Sequence, residues 1–135
     1  MAYEKPLPRI NSDNQAFWEA CRNHELRFQR CTLCGHVRFP SSLVCPHCHG
    51  RASEWIVSAG TGKVYTYAVY HVAYHPGFLE DVPYVVAVVE LDEGPRVLSN
   101  IVGCAPGEVV CGMPVAVAWE DVTPEVSLPK FTPAS

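Results

Sequence analysis

The 135-residue sequence has no apolar run long enough to cross a membrane as a helix. Its longest run, residues 84–89, is bounded by Pro83 and Glu90, whereas a spanning helix needs about 20 apolar residues. The first residues also include no apolar segment of the kind that directs secretion. We therefore expect a cytoplasmic protein without membrane contact.

Lysine and arginine are scarce in the second half of the chain. Residues 59–135 contain three Lys and Arg against nine Asp and Glu, a net charge of −6, whereas residues 1–58 contain seven against five, a net charge of +2. Proteins that bind nucleic acids need positive charge along the path of the phosphates. A module that binds single-stranded nucleic acid is therefore a disfavoured alternative, although Tyr65 and Tyr67 would offer rings for base stacking.

The strongest chemical signal is a pair of Cys-x-x-Cys motifs. Cys31 and Cys34 form the first motif, and Cys45 and Cys48 form the second after an interval of ten residues. Two such motifs bring four thiolates to one tetrahedral Zn²⁺, and a site filled by four cysteines leaves no open position for catalysis. We therefore predict one structural zinc ion per chain, held in a zinc ribbon.

Other uses of these cysteines fit the sequence less well. Disulfides are rare in cytosolic proteins, and seven cysteines cannot all pair with one another. A thioredoxin-like site needs one such motif at the start of a helix. Here each motif is closely followed by a glycine, Gly35 or Gly50, whose positive φ would let backbone N–H groups turn towards sulfur. Iron is an alternative metal for a four-cysteine site.

Local patterns in the first half predict one helix and a few short strands. After an extended arm over residues 1–11, polar residues at 12–14 supply the N-cap of a helix that ends near Asn23. Phe17 and Trp18 lie on its apolar face and pack either on the chain's own core or on a partner. Alternating segments then predict the ribbon strands, at residues 26–30, 36–40 and 55–57.

The second half is strand-like throughout. Five segments rich in β-branched and aromatic residues are separated by glycine and proline turns, and they cover residues 64–71, 84–91, 96–102, 115–119 and 126–131. The second and third form a hairpin, and Pro129 restricts the last to an edge. We predict a mostly β protein: an N-terminal arm, a helix and a four-cysteine, rubredoxin-like zinc ribbon in residues 1–58, then a five-stranded OB-fold-like barrel and C-terminal tail in residues 59–135.

The ordered set of motifs resembles one protein family. It is the zinc-ribbon and OB-fold family of thiolase-associated proteins, long catalogued as a domain of unknown function. The resemblance covers nearly the whole chain, and the ordered set is much more specific than the ribbon alone. The matching segments are Phe17-Trp18-Glu19, Arg30-Cys31-x-x-Cys34-Gly35, Cys45-Pro46-x-Cys48, Gly60-x-Gly62-x-Val64-Tyr65-x-Tyr67, the run from Pro83 to Gly94, and Gly112-Met113-Pro114-Val115.

The resemblance implies a non-catalytic accessory subunit of a thiolase-type acyl-CoA complex. Such complexes carry out thiolytic, aldol or Claisen carbon–carbon cleavage or acyl transfer, for example in the degradation of aromatic compounds or steroids. The thiolase-like partner supplies the catalytic residues, whereas the small protein supplies an interface and in some cases covers or holds the CoA arm. The implied assembly is a hetero-oligomer with two copies of each subunit that shares an acyl-CoA thioester.

Candidate contact residues lie in the helix, the ribbon and one loop. The loop over residues 71–81 combines aromatic side chains, two histidines and a Pro-Gly turn, and a surface linker does not need such apolar content. It either contacts the partner or CoA, or folds back on the barrel as a plug. The residues predicted to contact the partner or CoA are His71, Tyr74, His75, Pro76, Gly77 and Phe78 in the loop, Phe17 and Trp18 in the helix, and Arg30 and Arg38 in the ribbon.

A free-standing enzyme is the remaining alternative. Histidine titrates near neutral pH, so His71 and His75 are candidate acid–base groups, but no nucleophile or carboxylate stands beside them in a recognisable catalytic pattern. Catalysis by the metal would need fewer than four cysteine ligands. The remaining thiols, Cys21, Cys104 and Cys111, are expected to be packed. We predict no catalytic residue and no activity of the isolated chain.

Overall fold

The structure, a computed structural model, describes residues 5–134. This range is mostly β, as predicted. The elements in chain order are α1 (Gln15–Arg22), β1 (Arg27–Cys31), β2 (Val37–Arg38), β3 (Ser53–Val57), β4 (Thr61–Tyr70), β5 (Tyr84–Leu91), β6 (Arg96–Ile101), β7 (Pro114–Thr123) and β8 (Val126–Pro133), with 3₁₀ turns at Pro76–Phe78 and Pro106–Glu108. Of the predicted N-terminal arm, residues 6–11 have no regular secondary structure and residues 1–4 lie outside the described range.

Helix α1 packs on the core of its own chain. Phe17 and Cys21 are buried on its inner face, and the helix contacts β8 and β1. Asn14 is the N-cap residue, as the polar run predicted, but its side chain does not cap the helix and instead accepts a hydrogen bond from the N–H of Asn11 at 2.8 Å. The helix is therefore held by packing more than by its cap.

The ribbon is a three-stranded antiparallel sheet in the order β2-β1-β3. In the central strand, Arg30 pairs with Val37 of β2 on one side and with Glu54 of β3 on the other. Phe28 is buried in the main core, whereas Cys31 at the end of the same strand belongs to the four-cysteine cluster. Strand β1 thus joins the cysteine cluster directly to the core.

The other five strands close into a barrel in the order β4-β5-β6-β8-β7. The residues of strand β5 alternate regularly between buried and half-buried, so one face of the strand points into the barrel. The buried residues of β5 meet Val64, Val115 and Phe131 in a core that continues to Phe17 of the helix. The predicted OB-fold-like barrel is confirmed.

Two short contacts close this barrel. Strand β4 pairs with β7 only over residues 61–63, and a bulge at Tyr65 follows. Strand β6 runs parallel to β8 at a single pair, Ile101 with Phe131.

The prediction that Pro129 confines the last strand to an edge is wrong. Strand β8 lies between β7 and β6 in the barrel wall. The backbone pairing with β6 is limited to Phe131, so it needs no N–H from position 129. The carbonyl of Pro129 accepts a hydrogen bond from the Ser99 hydroxyl at 2.7 Å instead.

Candidate functional site

The two Cys-x-x-Cys motifs fold as two matching turns. The N–H of Gly35 donates to the carbonyl of Cys31 at 2.8 Å, and the N–H of His49 donates to the carbonyl of Cys45 at 2.9 Å. The N–H of Cys31 donates to the carbonyl of His36, and the N–H of Cys45 donates to the carbonyl of Gly50, five residues along the chain in each case. Both motifs therefore close the same two hydrogen bonds at the same spacing.

The predicted role of Gly50 is corrected by the second turn. Gly35 has a φ of +82°, as expected for a glycine that turns the chain back, but the matching residue of the second turn is His49, with a φ of +62°. Gly50 does not have a positive φ. A non-glycine residue in the left-handed region is unusual, so the sequence offered no signal for it.

The structure brings the four predicted metal ligands together. The sulfur atoms of Cys31 and Cys48 lie 3.5 Å apart, those of Cys34 and Cys45 lie 3.7 Å apart, and all four lie within 4.8 Å of one another. Four sulfurs at about 2.3 Å from a tetrahedral Zn²⁺ are separated by about 3.8 Å. The cluster therefore fits zinc, which would act there as a structural cross-link between the two turns.

Backbone N–H groups favour the thiolate form of two of these cysteines. The N–H of Cys34 hydrogen-bonds to the sulfur of Cys31 and, despite burial, lowers the pKa of that thiol to about 6. The N–H of Cys48 lowers the pKa of Cys45 in the same way. Cys34 differs: the N–H of His36 lowers its pKa, but desolvation and the contacts with the other three thiols together outweigh that hydrogen bond and raise the pKa to about 12. Four neighbouring sulfurs resist carrying negative charge together, and a divalent cation offsets that repulsion.

Two of the predicted contact residues lie in the interior. The Arg38 side chain is 4% exposed, where its Nε donates to Gln29 Oε1 at 3.1 Å and its Nη2 donates to the carbonyl of Ser42 at 2.8 Å. Phe17 is also 4% exposed and packs against Trp18 and Phe39. A contact with a partner or with CoA requires an exposed side chain, so Phe17 and Arg38 do not fit the contact role predicted for them.

Trp18 and Arg30 are more accessible. Trp18 is half-buried, with its ring edge-on to that of Phe17 at 5.1 Å between centroids. Arg30 donates from Nε to Glu54 Oε1 at 2.8 Å across the ribbon sheet. Both stay candidates for contact with a partner or with CoA.

The loop over residues 71–81 has an exposed part and a packed part. Tyr74 is 81% exposed, although its ring edge meets Tyr70. Phe78 instead stacks on Tyr84 at 5.2 Å between centroids, in the short 3₁₀ turn at Pro76–Phe78, where His75 Nδ1 accepts a hydrogen bond from the N–H of Gly77 at 3.0 Å. Phe78 therefore folds back on the barrel, as the plug interpretation expects, whereas His71 and Tyr74 face solvent and stay predicted contacts with a partner or CoA.

The same loop forms one wall of a groove that the sequence did not reveal. The groove has a volume of about 380 Å³ and also uses residues of β6, β7 and β8 and of the N-terminal arm. Because its walls come from segments far apart in the chain, no local pattern identifies it. Its lining includes Phe78, Tyr84, Ile101 and Trp119 and two ion pairs, Lys5 with Asp81 and Lys130 with Glu120.

The three cysteines outside the cluster differ in their surroundings. Cys21 is fully buried, which raises the pKa of its thiol to about 12. Burial and the charge of Glu108 raise the pKa of Cys104. The expectation that Cys111 is packed is wrong, because it is exposed in the turn before β7.

Within residues 5–134, no helix has the length and apolar character that a transmembrane segment requires.

Two family models match consecutive parts of the chain. Residues 18–54 match the ChsH2 rubredoxin-like zinc ribbon domain, and residues 55–120 match the ChsH2 C-terminal OB-fold domain. Together they account for the ribbon and most of the barrel, and the predicted family resemblance is confirmed.

Several similar proteins have names that concern CoA chemistry or scaffolding. A solved structure described as an Ltp2-ChsH2(DUF35) aldolase contains a chain 45% identical to this one, with a TM-score of 0.86, and the match covers 96% of this chain and 100% of that chain. A protein of Thermomonospora curvata, named a probable enoyl-CoA hydratase alpha subunit, is 45% identical over 130 residues, which are 96% of this chain and 40% of that protein. A DUF35 domain-containing scaffold protein of Methanocaldococcus jannaschii is 45% identical over 94 residues, 69% of this chain and 66% of that protein.

One more distant relative bears on the thiolase prediction. The benzoylsuccinyl-CoA thiolase subunit BbsA of Thauera aromatica is 30% identical over 86 residues, 64% of this chain and 57% of that protein. The chain thus spans 40% of the length of the hydratase subunit, 66% of that of the scaffold protein and 57% of that of BbsA.

Proposed function

Because the chain belongs to the ChsH2-type family of zinc-ribbon and OB-fold proteins, the DUF35 family, we propose that it is a non-catalytic, zinc-binding subunit of a complex that acts on acyl-CoA thioesters. The observation that carries this proposal is the match to the aldolase structure, which extends over that entire chain at 45% identity. The relatives named as a hydratase subunit, a thiolase subunit and a scaffold support the same class of assembly.

The proposed partner is a thiolase-like enzyme that cleaves or forms a carbon–carbon bond, or transfers an acyl group, next to a CoA thioester. The partner supplies the catalytic residues, and two copies of each subunit form a cytoplasmic hetero-oligomer. In this proposal residues 1–58 supply the helix and the zinc ribbon, and residues 59–135 supply the barrel.

Exposed apolar side chains of the 71–81 loop and of the ribbon are the proposed points of contact. Tyr74 and Leu79 in the loop are 81% and 66% exposed, and Leu33 and Leu43 in the ribbon are 69% and 73% exposed. Large side chains of this kind act as anchors when a partner buries them. The loop residues His71, Tyr74, His75, Pro76, Gly77 and Phe78, together with Trp18 and Arg30, are the proposed contacts with the partner or the CoA arm.

Binding of single-stranded nucleic acid is the weaker alternative. The guanidinium of Arg96 lies over the Tyr65 ring at 3.9 Å, so one of the two candidate stacking rings is already covered. Arg96 also pairs with Glu90, which reduces the positive charge available for phosphate.

The proposal is tested by purifying the tagged chain from its native source and identifying the proteins that elute with it. We expect a thiolase-like protein in a stoichiometric amount, one zinc ion per chain, and acyl-CoA turnover by the complex but not by this chain alone. A zinc-loaded chain without such a protein, or one that carries oligonucleotide, would contradict the proposal.

Variants at Tyr74 then locate the contact. Tyr74→Ala should weaken the complex, whereas Tyr74→Phe, which keeps the ring, should leave the complex nearly as stable as wild type. If the two variants behave alike, Tyr74 is not an anchor.

A further inference from the structure

Strand β4 loses its partner on one side before it ends. Its last hydrogen bonds towards the β7 side are made at Val64, whose N–H donates to the carbonyl of Met113 at 3.0 Å and whose carbonyl accepts from Gly112 at 2.7 Å. Within residues 5–134, residues 65–70 make backbone ladder contacts with β5 only. In an antiparallel ladder alternate residues direct their N–H and C=O groups to opposite sides. Half of the backbone groups of this segment therefore face away from β5 as an open edge.

The side chains of this segment are largely exposed, although the guanidinium of Arg96 lies over the Tyr65 ring. A strand in a barrel wall normally alternates between buried and exposed residues, as β5 does. In β4 the four successive residues 65–68 are all exposed, including Tyr65 at 48% and Tyr67 at 36%. The two faces of the strand and its free edge are thus open together.

The edge also has few of the features that protect natural edges from pairing. Such edges usually carry charged residues or proline. Residues 64–70 contain neither, and the nearest charged residue of the strand, Lys63, faces Glu90 of β5. The one irregularity is the bulge at Tyr65, which lies at the start of the open segment rather than along it.

We infer that residues 65–70 are a docking edge that accepts an extended strand of the catalytic partner subunit. The inference rests on the proposed function for the existence of that partner. An added strand would satisfy the open backbone groups of β4, and its side chains would pack against the exposed side chains of the edge strand, such as Tyr67.

The charge of the barrel argues against a second copy of this chain as the occupant. Residues 59–135 carry a net charge of −6, so pairing two copies edge to edge would bring two acidic barrels together. A strand with apolar side chains and flanking Lys or Arg complements this edge better. The inferred occupant is therefore a neutral or basic strand of the partner.

Amide hydrogen exchange tests this inference directly. In the isolated chain, the outward-facing amides among residues 65–70 should exchange quickly, and in the complex purified from the native source the same amides should become protected. If they exchange at the same rate in the complex, the inference fails while the proposed function stands. If they are already protected in the isolated chain, a second copy or another part of this chain occupies the edge, and the inference fails as well. If no complex exists, the proposed function fails and the inference fails with it.

A matched pair of variants separates the edge from the neighbouring surface. Thr66→Lys adds a charge on the edge strand β4, and Leu98→Lys adds the same charge on β6. The two positions are matched, because Thr66 and Leu98 pair with Val88 of β5 from opposite sides. We expect Thr66→Lys to weaken partner binding by about tenfold or more. Leu98→Lys should change it by no more than about twofold. Unchanged zinc content and melting temperature would show that both variants fold, and equal effects on binding would overturn the inference.

Discussion

The cysteine-bearing end of the ribbon and the barrel are stabilised by different means. In residues 31–50 the fully buried residues are Cys31, Arg38 and Cys45, and none of them is an aliphatic or aromatic side chain. The barrel instead buries a continuous set of valines, leucine, isoleucine and phenylalanine. A segment without an apolar core of its own depends on its cross-link, whereas the barrel depends on burial of apolar surface. The comparison predicts that each region is sensitive to a change that the other tolerates.

Loss of one sulfur should produce the largest difference between the regions. Structural zinc contributes on the order of 10 kcal/mol to the folding of small domains, so Cys31→Ser should abolish zinc binding and unfold residues 31–50. The barrel should keep its slow amide exchange. Zinc content and residue-level hydrogen exchange measure both effects, and Cys111→Ser, at an exposed thiol outside the cluster, is the control. Uniform loss of protection in both regions would contradict the comparison.

Removal of one large side chain from the barrel should destabilise the barrel and leave the zinc site of the ribbon intact. Phe131 is fully buried in β8, so Phe131→Ala should lower the free energy of unfolding by about 3 to 5 kcal/mol while zinc content is retained. Leu98→Ala, at a residue that is 69% exposed, should cost much less. Urea denaturation of both variants checks this prediction. A similar cost for the two substitutions would show that the barrel core is not what holds β8.

The two matching turns of the ribbon allow a sharper comparison within that region. His49→Gly should stabilise the zinc-bound ribbon by about 1 kcal/mol, because a side chain at positive φ costs about this much. Gly35→Ala should destabilise it by a similar amount for the same reason. Competition with a zinc chelator measures both changes. Effects of the same sign would mean that φ does not decide the stability of these turns.

The smallest predicted effect concerns a contact that joins the end of the helix to the barrel. His24 Nε2 lies 2.8 Å from Asp121 Oδ1, and the His24 ring stacks on Trp119. The hydrogen bond with His24 lowers the pKa of Asp121 below its ordinary value of 3.8. Its contribution to stability is therefore present above that ordinary value and is lost as pH falls through the lowered pKa in the folded state.

Asp121→Asn should remove this small contribution, so the unfolding free energy of the variant should fall less steeply with acidification than that of wild type. Denaturation at several pH values between about 2 and 6 checks the slope. Glu125→Gln, at an exposed carboxylate of the β7–β8 turn, is the control and should keep the wild-type slope. Identical curves for wild type and Asp121→Asn would refute the prediction.

Features encoded by local spacing were predictable from the sequence. The two cysteine motifs identify the residues of the metal cluster, and the alternation of residues 84–91 identifies a barrel strand, because each signal lies within a few neighbouring residues. The same holds for the hairpin turn at Asp92–Pro95, where Gly94 has a φ of +111°.

Features that depend on distant segments were not predictable. Arg38 was predicted to contact the partner or CoA, but it is buried because Gln29 and the carbonyl of Ser42 meet its guanidinium. Pro129 indicated an edge, yet β6 reaches β8 beyond the proline. The true open edge in β4 has an ordinary strand sequence, and it is open only because β7 diverges from it after Val64.

The narrow closure of the barrel also bears on how the chain folds. The β5–β6 and β7–β8 hairpins join neighbours in sequence, whereas the pairing of Thr61–Lys63 with Pro114–Ala116 joins the first barrel strand to the fourth. Forming a distant contact costs more chain entropy than forming a local one, and here three ladder pairs and a few flanking hydrogen bonds offset that cost. We therefore expect the hairpins to form early and this seam to close late. Until the seam closes, a nascent chain has an open sheet rather than a barrel with an inside and an outside.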